Sequence, residues 1–187
     1  MYQLCVSGAA KGESVEEGKK LARLVGASIA RMKYSLMTGA TTGLPNYAAE
    51  AYKASGGLMS VGISPAASKI EHVLKYRLPT KAYDTIIYTG LNYIGRDNLL
   101  ITSSDAVISI GGRLGTLHEF TIAMESDTPI GFLQGTGGVS TEIMDILKAA
   151  GEQRSKNVIF DDNVDKLIKR ISALLDEEHK KYMYLYK

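Results

Sequence analysis

The chain has one cysteine, no tryptophan and only four prolines in 187 residues. A single thiol, Cys5, excludes an internal disulfide and a thiolate-based zinc site. No apolar run approaches the ~20 residues that span a bilayer, so no membrane segment is expected. Charge of one sign is also missing: 22 Lys and Arg stand against 20 Asp and Glu, a formal +2, with the signs interspersed. Counterion release from a polyanion needs clustered basic residues, so nucleic acid is not an expected partner. No basic leader with an apolar segment precedes Tyr2-Gln3-Leu4-Cys5-Val6, and a soluble cytoplasmic protein is the expectation. His72, His118 and His179 are dispersed without metal-ligand spacing, and no metal site is expected.

What remains reads as one domain over residues 1–187, because ~150 residues is the usual domain size and no Pro/Ser-rich linker or repeat divides the chain. Short apolar runs alternate with helical patterns. Leu4–Val6, Ser35–Thr38, Leu58–Ile63, Thr85–Tyr88, Ala106–Ile110, Ile130–Leu133 and Val158–Phe160 read as strands. Ser14 and Glu17 have capping-box spacing at the start of a first helix, whose apolar face is Leu21, Leu24, Val25, Ile29 and Met32. Pro45 stands where a first helical residue would be, and Ser68 with Glu71 predicts a further short capped helix. The last helix begins near Asp162-Asn163 and buries Val164, Leu167, Ile168, Ile171 and Leu175. Apolar strands each followed by a helix predict an α/β fold, a Rossmann-like doubly wound parallel sheet of about seven strands with helices on both faces.

Ligands of such sheets bind beyond the carboxyl ends of the strands. Three glycine-rich loops fall there: Gly39–Gly43, Gly111–Thr116 and Gly135–Gly138. A helix start offers unpaired amides and about half a positive charge to an anion, and glycine admits a phosphate close to the backbone. Gly111–Thr116, between a buried strand and a clear helix, is the favoured phosphate loop, and Thr116 adds a hydroxyl. Gly135–Gly138 is read as simple strand–helix punctuation. Glu119 lies about 200° round the helix from Leu117 and so points away from the packed face. On spacing alone it is either a first-turn carboxylate complementing the helix dipole or a group beside a bound sugar. Arg96 is either a phosphate clamp or a solvated surface arginine.

The residues Gly95-Arg96-Asp97-Asn98, Ser104-Asp105-Ala106 and Gly111-Gly112-Arg113-Leu114-Gly115-Thr116-Leu117-His118-Glu119 resemble the signature of the LOG family, lysine decarboxylase-like proteins that include cytokinin riboside 5′-monophosphate phosphoribohydrolases. That family's hallmark is an upstream arginine and a Pro-Gly-Gly-x-Gly-Thr-x-x-Glu motif. Ile110 replaces the proline here, and Pro45 stands where the earlier glycine loop usually has methionine. Gly90-Leu91-Asn92 and Leu133–Gly138 resemble the related molybdenum cofactor carrier proteins more closely.

The resemblance implies that Gly111, Gly112, Gly115 and Thr116 hold a 5′-phosphate and that Arg96 and Glu119 are the catalytic pair. Ser7, Gly8, Gly39, Thr41, Thr42, Gly43 and Arg113 would complete the nucleotide contacts. It implies release of a free base and ribose 5-phosphate from a nucleoside 5′-monophosphate, with no cofactor required. The alternative is a non-catalytic carrier or sensor of a phosphorylated small molecule, such as a nucleotide or the molybdopterin cofactor. A homodimer or higher homo-oligomer is the implied assembly.

Overall fold

Seven short segments pair in parallel throughout, in the order β4-β3-β2-β1-β5-β6-β7. The computed structural model describes residues 1–151 and 154–185. In chain order the elements are β1 (Gln3–Gly8), α1 (Glu13–Arg31), β2 (Ser35–Thr38), α2 (Leu44–Ala54), β3 (Ser60–Ser64), α3 (Lys69–Leu74) and β4 (Thr85–Tyr88). There follow α4 (Asn92–Thr102), β5 (Ala106–Ile110), α5 (Leu114–Glu125), β6 (Ile130–Leu133), α6 (Ile143–Ala150), β7 (Val158–Asp161) and α7 (Val164–His179). The fold is α/β and Rossmann-like. Among the described residues no helix is long and apolar enough to cross a membrane.

Successive strand residues point to opposite faces, and this alternation divides the interior into two cores. Leu4, Val6, Leu36, Ala106, Ile108 and Ile110 pack under α1, α2 and α7. Cys5, Met37, Val107, Ile130 and Phe132 pack under α4, α5 and α6. All five apolar residues expected on α7 are buried, and Asn163 caps that helix by accepting from Lys166 N. Ser68 caps α3 by accepting from Glu71 N, as the Ser68/Glu71 spacing predicts, while Glu71 reaches back to Ala67 N at 2.7 Å.

The first helix departs from expectation. It begins at Glu13 on Gly12 (φ 98°) with no side-chain cap bond, so Ser14 and Glu17 form no capping box. Its buried face is Val15, Gly18, Ala22, Val25, Gly26 and Ile29, while Leu24 and Met32 are exposed. The reason is the close approach of α2: a methyl on Gly26 would lie 2.8 Å from the Ala48 carbonyl carbon. Contact at that range selects small residues, not the largest apolar ones. The third strand starts at Ser60, leaving Leu58 and Met59 exposed on the connection from α2.

Candidate functional site

The chain leaves β1 toward the β4 edge of the sheet and leaves β5 toward the β7 edge, so the loops after these two neighbouring strands diverge and open a crevice between them. A cleft of about 220 Å³ occupies this place. From β1 it takes Val6, Ser7 and Gly8, followed by Ala9 and Ala10; from the loop into α2, Gly39, Thr41 and Pro45. From α4 come Tyr93, Arg96 and Asp97, and from the start of α5 come Arg113, Gly115, Thr116 and Glu119.

Arg96 is buried at 4% exposure, so the solvated-surface reading is excluded. Its guanidinium is seated against Gly39, where a methyl would overlap Nη1 and stand 2.6 Å from Cζ. Tyr93 flanks it with the ring centre 5.8 Å away. Among the described residues Arg96 Nε has no hydrogen-bond partner, and its nearest counter-charge is Asp97 Oδ1 at 3.4 Å. A buried guanidinium with an unmet donor, lining a cleft, is arranged to receive an anion.

Contrary to the spacing argument, Glu119 lies on the buried side of α5, between Thr116 and Ala123 at i−3 and i+4, and faces β1, where it accepts a hydrogen bond from Ser7 Oγ. Burial pushes its carboxyl up to about 7, reinforced by the negative charge of Asp97. The Ser7 hydrogen bond and the charges of Arg96 and His118 oppose this only in part. The result is a carboxyl able to hold or release a proton near neutrality.

The phosphate-loop residues divide into two groups. Gly115 and Thr116 line the cleft at the first turn of α5, which has Arg113 as its cap residue and no side-chain cap bond. Its first amides are therefore free of intrahelical partners. Gly111 and Gly112 lie behind. Gly111 N donates to Thr136 Oγ1 at 2.7 Å, and that hydroxyl donates to Leu133 O at 2.8 Å, so the Gly111 amide is committed internally. Gly112, at φ 108°, leaves room for the Thr116 side chain, which a methyl there would overlap. Thr42 and Gly43 likewise stand outside the cleft. Thr42 Oγ1 donates to Ala10 O at 3.3 Å and Leu44 N donates to Ala9 O at 2.9 Å, bracing the segment after β1.

Gly135–Gly138 is more than punctuation. Val139 N donates to Gly112 O at 3.0 Å, and a methyl on Gly138 would lie 2.9 Å from Gly112 N. Together with Thr136 this loop buttresses the phosphate loop from behind.

Sequence reasoning missed Asp97, Tyr93 and His118. Asp97, 6% exposed, accepts from His118 Nδ1 at 3.0 Å across the α4–α5 contact. An aspartate directly after an arginine reads as a surface charge pair, and only the packing of the two helices brings His118 to it. Ser109 Oγ is also buried without a partner, on the strand position in register with Ser7.

Comparison with known proteins agrees with the fold. The SLOG cluster4 family matches residues 1–168. An uncharacterized protein of Archaeoglobus fulgidus is 33% identical over 134 residues, 72% of this chain and 81% of its own length. The solved structure of the structural-genomics target TM1055 superposes with a TM-score of 0.80 at 24% identity, covering 92% of this chain and 99% of that one. The molybdenum cofactor carrier protein of Chlamydomonas reinhardtii superposes with a TM-score of 0.74 at 26% identity, over 93% of this chain and 98% of that one.

Proposed function

The chain belongs to the SLOG cluster4 family, and from that premise we propose that its cleft binds a nucleoside 5′-monophosphate and hydrolyses the N-glycosidic bond, releasing the free base and ribose 5-phosphate. The observation that carries this reading is that Arg96 and Glu119, from different helices, line one cleft beside the uncapped first turn of α5. The phosphate sits on the Gly115 and Thr116 amides and the Thr116 hydroxyl, with Arg96 closing on it or on the ribose hydroxyls. As the C1′–N bond breaks, positive charge grows on the sugar, and an ionised Glu119 stabilises it. Water adds at C1′, one of its protons passes to Glu119, and the leaving nitrogen of the base takes up a proton. A carboxyl tuned to about 7 serves both as acceptor and as donor in that exchange.

A second reading, carriage of a phosphorylated ligand without turnover, is favoured by the likeness to the Chlamydomonas carrier protein and by Ile110 in place of the motif proline. The two separate in one assay. Wild-type protein incubated with AMP, GMP, CMP and UMP is analysed for free base and ribose 5-phosphate. The hydrolase reading expects release from at least one of them, abolished in Glu119→Gln. Binding of a nucleotide while all four stay intact in both proteins excludes it in favour of carriage.

The assembly we propose is a homodimer through the outer faces of α4 and α5. The only charged residues of α4, Arg96 and Asp97, are both buried. Its outward surface is therefore uncharged, and a groove lined by Leu91, Ile94, Leu99, His118 and Ile122 runs along it. Ile94 is 75% exposed, and Leu91 and Leu99 on the same groove are also exposed, an apolar cluster of the kind that marks an interface.

A further inference from the structure

The Asp97 carboxylate stands between two nitrogens, Arg96 Nε at 3.4 Å from one oxygen and His118 Nδ1 at 3.0 Å from the other. A buried carboxylate is costly unless cationic or donor groups surround it, so its place here calls for a reason. The surroundings of the pair supply one. Asp97 lines the cleft with Glu119, whereas His118 lines the separate groove between α4 and α5 and is 39% exposed there. The pair thus spans the wall between the site and solvent on the far side.

We propose that Asp97 and His118 are a positioning pair for the site. Asp97 holds the Arg96 guanidinium by charge, leaving its donors for the ligand. His118, reached from the groove, acts together with Asp97 on whether Glu119 carries a proton. The catalytic part of this role rests on the hydrolase reading above.

Several groups face Glu119. From β1 come Ser7 and the Cys5 thiol, which burial keeps neutral; from α4 come Arg96, Asp97 and Tyr93; from α5 come His118 and Arg113. Of these groups, only His118 also lines the groove between α4 and α5. The negative charge of Asp97 favours the protonated carboxyl of Glu119, and a proton on His118 offsets that charge and favours the ionised one. Protonation at the groove is thereby felt in the cleft without a conformational change.

The test is a carbon-13 NMR titration of glutamate-labelled full-length protein, with the Glu119 signal identified by its loss in Glu119→Gln. Asp97→Asn is expected to lower the Glu119 midpoint and His118→Gln to raise it, each by about half a pH unit or more. The double variant is expected to fall between the two single ones, because Asp97 and His118 act on Glu119 in opposite directions. Unmoved midpoints, or shifts of the opposite sign, overturn the proposal. His118→Gln alters a half-exposed side chain, so its arm decides the matter alone if Asp97→Asn does not fold. The readout is independent of turnover: absence of base release from all four monophosphates defeats the hydrolase reading and leaves these midpoints to be judged separately.

Discussion

Gly39→Ala is a small change aimed at the ligand-facing guanidinium. Gly39 does not adopt a positive φ, so its backbone accepts alanine, and the only objection comes from Arg96. The new methyl would overlap Arg96 Nη1 and lie 2.6 Å from Cζ, so the guanidinium must leave its seat. It cannot swing freely, being 4% exposed and flanked by Tyr93 and Asp97. Crowding of this kind costs about 1–3 kcal/mol of stability, which in a chain this long lowers Tm by about 2–4 °C per kcal/mol. The larger effect is on the ligand. Removing one hydrogen bond to a charged group costs about 1.5–3 kcal/mol, a roughly 10- to 150-fold rise in Kd. Calorimetric titration with AMP, with Tm measured in parallel, separates the two effects. Because Gly39 acts only by seating Arg96, adding Gly39→Ala to Arg96→Ala should weaken binding no further. An unchanged Kd in the single variant, or an equal loss in the Arg96→Ala background, would refute the reasoning.

Two further outcomes follow from the same geometry. Glu119 ionises at about 7 when folded against 4.5 for an ordinary glutamate, so as pH rises between those values the unfolded chain releases a proton that the folded one keeps. Stability is lost over that window at about 1.4 kcal/mol per pH unit, to a ceiling of about 3 kcal/mol. Glu119→Gln should therefore gain on wild type in urea denaturation as pH goes from 5 to 8, and a constant difference across that range would contradict the assignment. Ile94→Glu places a charge on the outward face of α4 and should convert dimer to monomer by light scattering, with Tm little changed. A wild-type protein already monomeric at tens of micromolar removes the proposed interface.

Much of the fold was legible because parallel strands are buried on both faces and announce themselves as apolar runs. β2, β4, β5 and β6 occupy the residues their composition picks out. The glycine loops were legible because each marks a strand end, and three of them fall at the carboxyl edge. The first helix was misread because periodicity ranks residues by size, whereas the α1–α2 contact demands Gly26 and Ala22. Within the site, helical geometry referred to Leu117 sent Glu119 away from the packed face, whereas the buried face runs through Thr116, Phe120 and Ala123 and takes Glu119 to Ser7; its proton affinity depends on Ser7 and Asp97, which come from other elements. The exposure of Arg96 was equally beyond reach, since its seat is a backbone glycine far away in sequence. The same holds for Gly135–Gly138, whose contact with Gly112 exists only once β5 and β6 are side by side.

The most direct measurement is a crystal structure of the protein grown with AMP. The account predicts the phosphate against the first turn of α5, within hydrogen-bond distance of the Gly115 and Thr116 amides and the Arg96 guanidinium, with the ribose turned toward Glu119. Nucleotide bound elsewhere on the molecule, with side chains filling the space between β1 and β5, would contradict it.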